Sequence, residues 1–190
     1  MTKVFIGGSR KVSRLSAEVQ QRLDRVINKC LPVLIGDANG VDKAVQQYLK
    51  ERKYAQVEVF CMEGECRNNL GDWPTRSISA LNNKRDFSYF TTKDKVMAEE
   101  ASVGFMIWDG KSIGTLTNIF RLIDRNKKVV VYTVPSKQFS DLKDTASWVT
   151  FLSSYGIDLR EVVEREAASE VRKHKEPLQR TLFSTNRVPA

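Results

Sequence analysis

Short apolar runs alternate with amphipathic stretches along most of this chain, the pattern that specifies a parallel sheet covered on both faces. Val4-Phe5-Ile6 reads as a first strand. A helix follows from about Ser16, whose side chain can cap the first turn, and Val19, Leu23, Val26, Ile27 and Cys30 fall on one of its faces before Pro32 ends it. Val33-Leu34-Ile35 gives a second strand, and Val41, Ala44, Val45, Tyr48 and Leu49 give the apolar face of a second helix. Val57 to Phe60 is a third strand. Between Cys61 and Lys84 lies a loop rich in Gly, Asn, Arg and Ser with no periodicity, a length that signals either a function or disorder. A helix from Arg85 to about Ala101 carries Phe87, Tyr89, Phe90, Val96 and Met97 among many charges, though Thr91-Thr92 weakens it. Val103 to Trp108 is the fourth strand. A helix from about Thr115 then presents Leu116, Ile119, Phe120 and Ile123, and Val129 to Val134 is a fifth strand stopped by Pro135.

Beyond Pro135 the alternation ends. Phe139, Leu142, Ala146, Val149 and Leu152 are spaced for one more amphipathic helix, and Leu159, Val162, Val163, Ala167 and Val171 for another. Nothing periodic follows Pro177. The expected organisation is a doubly wound α/β domain over 1–135, a helical extension over 136–176 and a disordered or partner-bound tail over 177–190. The sheet is expected to be mostly parallel, with about five or more strands.

At 190 residues and 41% hydrophobic content, the chain suffices for one well-buried α/β core and is short for two ordinary domains. No apolar run approaches the roughly 20 residues of a membrane span, and the N-terminus opens directly into a strand, so a cytoplasmic protein with no membrane partner is expected. Cys30, Cys61 and Cys66 lack C-x-x-C spacing, and His174 is the single histidine. Reduced thiols, no structural metal and no cofactor are the expectation. The net charge of +8 admits nucleic acid as a partner. The charge is dispersed along the sequence, however, and no basic and aromatic repeat of an RNA-binding strand pair is present.

Two glycine-bearing turns change the picture, because each directly follows an apolar strand. Gly7-Gly8-Ser9-Arg10 follows the first, and Asp109-Gly110-Lys111-Ser112-Ile113-Gly114-Thr115 follows the fourth. A turn without Cβ atoms that leads into a helix aims free N–H groups at a ligand, and the helix dipole with Arg10 and Lys111 favours an anion there. Spacing excludes two familiar phosphate motifs. Gly110-Lys111-Ser112 resembles the end of a P-loop, but the first glycine of that motif would fall at Phe105. The first turn lacks the third glycine of G-x-G-x-x-G, which argues against a standard NAD site.

Five motifs occur in order: Gly7 to Arg10, Gly36-Asp37-Ala38-Asn39-Gly40-Val41-Asp42, Arg67-Asn68-Asn69, Lys84-Arg85-Asp86, and Trp108 to Thr115. In this combination the sheet domain resembles the SLOG superfamily and, within it, the small YspA-like proteins formerly described as a domain of unknown function. More distantly it is similar to the LOG phosphoribohydrolases. The resemblance implies a Rossmann-like fold that binds a nucleotide or nucleotide derivative at its strand ends. It implies that Ser9 and Arg10 contact phosphate or ribose and that Gly114 and Thr115 present helix amides to a phosphate. It also implies a homo-oligomer, at least a dimer, for which the amphipathic helices after Pro135 would offer an interface.

The other candidates have local alternatives. Asp37 and Asp42 lie beside the same strand edge but can equally satisfy backbone donors in a turn and a first helical turn. Arg67, Asn68 and Asn69 could read a base or second phosphate, or form a surface turn. Trp73 and Trp108 could stack on a base, or belong to the core. The LOG enzymes carry G-T-x-x-E, and here the pattern ends in Asn118. An amide exchanges no proton near neutral pH, so a substitute carboxylate would have to come from Asp109, Asp37, Glu63 or Glu65. No catalytic residue is therefore assigned. The leading expectation is a sensor or sequestering protein for a small nucleotide-like ligand. The alternatives are a hydrolase or transferase at a nucleotide N-glycosidic bond, and nucleic-acid binding of the kind associated with DprA, which contains a related domain.

Overall fold

The computed structural model describes residues 1–63, 66–79, 87–158 and 160–164, with residues 87–90 as backbone. In chain order the elements are β1 (Val4–Gly8), α1 (Ala17–Asn28), β2 (Val33–Gly36), α2 (Val41–Glu51), β3 (Val57–Met62), β4 (Thr75–Ile78), α3 (Phe87–Glu100), β5 (Val103–Trp108), α4 (Ile113–Asp124), β6 (Lys128–Thr133), β7 (Gln138–Leu142) and α5 (Thr145–Ser154). One seven-stranded sheet has the order β4-β3-β2-β1-β5-β6-β7. All pairs are parallel except β6 with β7. This is a Rossmann-like α/β fold.

The five strands between the edge strands β4 and β7 form for the reason the sequence pattern implies: they are packed on both faces. Ile6, Ile35, Val59 and Ile107 pack with Val19, Leu23, Val45 and Leu49 of α1 and α2. Phe5, Leu34, Phe60 and Met106 pack on the opposite face with Met97, Leu116, Ile119, Trp148 and Leu152 of α3, α4 and α5. The chain winds outward from β1 to β4 with α1 and α2 on one face, then returns through α3 to β5 beside β1. That reversal leaves a crevice at the carboxyl ends of β1 and β5, where open α/β sheets bind ligands.

Helix starts follow their caps. Ser16 Oγ accepts the Val19 N–H at the head of α1, and Ser112 Oγ accepts the Thr115 N–H at the head of α4. Asp144 and Ser147 form a reciprocal capping box at the head of α5.

Three expectations need correction. The stretch beginning at Phe139 is not one helix: residues 138–142 form β7, antiparallel to β6, and the helix starts at Thr145. Residues 134–137 turn the chain back along the sheet edge, so that β7 follows β6. The long loop after β3 contains β4, whose four residues are too few to show an alternation. Finally, Cys61 and Cys66 are joined as a disulfide, their Cα atoms 5.2 Å apart because the chain doubles back after β3. Cys30 is free and exposed.

Trp148, Phe151 and Leu152 of α5 are buried in the core, while Val149 on the same helix is 40% exposed. Residues 160–164 are helical and Val162 is buried. Glu65, Lys84-Arg85-Asp86, Leu159, the remainder of the last expected helix, His174 and the expected tail lie outside the described residues. Among those described, no helix is long and apolar enough to cross a membrane, and no cluster of His, Cys, Asp and Glu is arranged to hold a metal.

Candidate functional site

The two glycine turns meet because β1 and β5 are neighbours, with Gly8 level with Ile107. A Cβ on Gly8 would strike the Ile107 carbonyl and the Val41 side chain. Gly40, at φ +84°, lets the turn before α2 press against the Arg10 backbone, and the Val41 N–H reaches the Ser9 carbonyl. Three loops are thereby locked together.

Ser9 is fully buried and acts as the pin. Its hydroxyl donates to Asp109 Oδ1 at 3.0 Å, accepts the Asp109 N–H at 3.0 Å and shares a hydrogen with Thr115 Oγ1 at 3.2 Å. The Asp109 carboxylate also accepts the N–H groups of Lys111 (3.0 Å) and Ser112 (2.8 Å). Burial acts to raise its pKa, but these donors together hold it below the usual carboxylate range. Asp109 thus shapes the turn through Gly110, at φ +81°, and into α4. Trp108, a core residue, completes the brace by donating Nε1–H to the Ser112 carbonyl.

These turns border a cleft of about 470 Å³. Gly7, Gly8, Arg10 and Lys11 line it from β1 and the turn after it, Asp42 from the first turn of α2, Arg67 from the loop after β3, and Lys111, Ser112, Gly114, Thr115 and Asn118 from the β5–α4 side. At Gly114 the space is open, its nearest neighbour to a hypothetical Cβ being Ser112 Oγ at 4.0 Å. The first-turn N–H groups of Ile113 and Gly114 have no acceptor within the helix, so the cleft wall includes a helix N-terminus that carries no side chain at Gly114.

The cleft floor holds charges that sequence reading overlooked. Lys93 of α3 is buried, with Nζ 3.5 Å from Asp37 Oδ1 and 3.3 Å from Asp94 Oδ1. A Cβ on Gly36 would stand 2.5 Å from both Lys93 Nζ and Asp42 Oδ2, so glycine there admits the cluster. Burial works against the Lys93 charge, yet Asp94, Asp42 and Asp37 together keep its pKa above the ordinary lysine range. Asp42 goes the other way. Burial, reinforced by Asp94 and opposed by Lys93, pushes it up to about 6.

Asp37 is a brace. It receives Arg67 bidentately, Nε at 3.0 Å and Nη2 at 2.7 Å, plus the Arg67 N–H at 3.1 Å. Burial alone would raise its pKa, but Arg67 and Lys93 hold it down. Asn68 donates to the Asp37 carbonyl and to Asn39 Oδ1, and Asn69 closes a turn on Trp73, itself a core residue. Asn118 donates to Asp94 Oδ2 at 3.1 Å and accepts from buried Arg121 at 2.6 Å. Ser9, Gly36, Asp37, Asn68 and Gly110 therefore stand behind the cleft wall, while Lys11, Thr91, Lys93, Asp94 and Arg121 join it. The pair Lys93-Asp94 was hidden because two adjacent charges in a helix read as a solvated face.

Fold and cleft together define a Rossmann-like α/β protein with a polar crevice at the point where its strand order reverses. No family model matches the chain, and no curated protein sequence does. Among solved structures it is similar to DNA processing protein A (DprA) from Streptococcus pneumoniae, with TM-score 0.51, 17% identity, and 87% of this chain aligned to 61% of that one. It is also similar to DNA processing protein A from Helicobacter pylori, a protein with a single-stranded DNA binding mode, with TM-score 0.54, 15% identity, and 90% of this chain aligned to 81% of that one. The chain therefore spans less than two thirds of the streptococcal protein. At such identities the likeness is one of fold.

Proposed function

We propose that this protein is a SLOG-type, YspA-like binder of a small nucleotide-derived anion at the carboxyl-end cleft. The observation that carries this reading is the bare first turn of α4 at Gly114, opening on the cleft opposite Arg10 and Lys11 and beside Lys111. Oriented N–H groups, a helix dipole and flexible cations together suit a phosphate. The buried carboxylates deeper in the cleft suit hydroxyl or amino donors of a sugar or base.

A binder is favoured over an N-glycosidase by how the polar groups are used. Asp109 is tied to its turn through Oδ1, which accepts from Ser9, Lys111 and Ser112, Asp37 is clamped by Arg67, and Asn118 is an amide held between Asp94 and Arg121. The test is calorimetry against nucleoside mono- and diphosphates, NAD and ADP-ribose, with chromatography of each mixture. Saturable binding without turnover is expected. Catalytic release of free base or nicotinamide would replace this reading with the hydrolase, and Asp42, which can exchange a proton near pH 6, would be the carboxyl group to examine.

A second reading takes single-stranded nucleic acid in the same cleft, supported by the fold shared with DNA processing protein A. Under it, affinity rises with strand length and falls steeply with salt. Mononucleotides binding as tightly as oligonucleotides would exclude it.

A further inference from the structure

A second cleft, of about 440 Å³, lies against α1 and the amino-terminal ends of β1, β5 and β6. Its floor is the sheet face of β5, β6 and β7, where Phe105 is level with Val130, and Val130 with Asp141. Its walls are basic. Arg22, Arg25 and Lys29 stand three and four residues apart on one face of α1, and Lys128 and Lys143 approach from β6 and the end of β7. Asp141 is the one carboxylate among the described lining residues.

Among the described residues none of the five cations is in an ion pair, so their charge is available to an outside partner. Next to them Phe139 is 40% exposed, with the Arg22 guanidinium 5.8 Å from its ring centre and Tyr132 packed against it at 4.9 Å. A second copy of this chain would bring the same five cations to the contact. A duplex would offer phosphates but keep its bases from the ring. A single strand offers both phosphates for the cations and a ring face for Phe139.

We propose that this groove is a docking site for single-stranded nucleic acid, separate from the carboxyl-end cleft and independent of what that cleft binds. The cations set affinity without reading sequence, and Phe139 stacks on a base.

The test is fluorescence anisotropy of a labelled oligothymidylate over a range of salt. Neutralising about four phosphates gives a log–log salt slope near −3. The double variant Arg25→Glu/Lys29→Glu and the separate variant Lys143→Glu, all at exposed positions, should each weaken binding tenfold or more and flatten that slope. Arg10→Ala, in the other cleft, should leave it unchanged. Phe139→Ala should weaken the oligothymidylate but not an abasic strand of equal length. Unchanged strand affinity in the folded charge variants would overturn the proposal, as would a loss on Arg10→Ala equal to theirs. Equal affinity for polyglutamate of matched length would assign the groove to an acidic protein segment instead. Conversion of a dimer to a monomer by the charge variants would assign it to a second copy.

Discussion

The two ends of the sheet are both rich in cations and use them in opposite ways. At the carboxyl ends, Lys93 lies against Asp37 and Asp94, Arg67 grips Asp37, and Arg121 is hydrogen-bonded to Asn118. At the amino ends, Arg25, Lys29, Lys128 and Lys143 project into solvent without such partners among the described residues. Cations of the first kind build a site of fixed geometry, since moving one strands buried carboxylates. Cations of the second kind make a field, strong at low salt and weak at high salt. A single tally of +8 conceals both.

The contrast breaks most sharply at Lys93. Replacing it with Met removes the buried counter-charge of three aspartates at nearly constant volume, and the loss of stability should be about 3–5 kcal/mol. Replacing Lys29 with Met, at the exposed end of α1, should change stability by less than about 0.5 kcal/mol. Urea unfolding of the two variants reads the difference directly. Comparable midpoints would mean that the carboxyl-end cluster is as dispensable as the groove.

The next largest effect is on pH. Folded Asp42 binds its proton up to about pH 6, whereas an unfolded aspartate releases it near pH 4. Folding therefore takes up a proton between those values, and this group's contribution declines as pH rises through the window, by up to about 3 kcal/mol. Asp37 and Asp109, depressed when folded, have the opposite sign: their contribution is present above the unfolded value and is lost as pH falls through the folded one. Asp42→Asn should remove the decline between pH 4 and 6 while leaving the acid loss intact. A stability profile with the same slope in variant and parent would show that Asp42 does not carry it.

Arg10 separates the ends by ligand rather than stability. It is exposed at the cleft rim. Arg10→Ala should cost a charge-assisted contact, about a tenfold to hundredfold loss of nucleotide affinity, with little change in folding. Calorimetry showing parental affinity would place the anion elsewhere.

Apart from β4, the strand and helix pattern through Val134 was readable because the elements seal apolar faces at their own periods, and the glycine turns were readable because they follow strands. What escaped had physical reasons. β4 is half-exposed and only four residues long, and β7 shares its apolar spacing with a helix turn, Phe139 and Leu142 being three apart. The partners of Ser9 are not readable from spacing, because only the pairing of β1 with β5 brings Asp109 and Thr115 to its hydroxyl. The basic groove escaped because its cations come from α1, β6 and the end of β7, which are far apart in sequence.

The smallest expected effect is at Gly114, and it is informative because stability and binding should move in opposite directions. This glycine lies in the first turn of α4, has no positive φ and has open space where a Cβ would go. Nothing in the fold requires glycine there, so Gly114→Ala should raise stability by about 0.5 kcal/mol through reduced freedom of the unfolded chain. The same methyl group projects toward the cleft and would hold a phosphate off the helix amides, so nucleotide affinity should fall. Strand affinity at the amino-end groove should be untouched. A variant that gains stability and keeps full nucleotide affinity would mean that the bare first turn of α4 is not where the anion sits, and the cations of Arg10, Lys11 and Lys111 would then have to hold it without the helix.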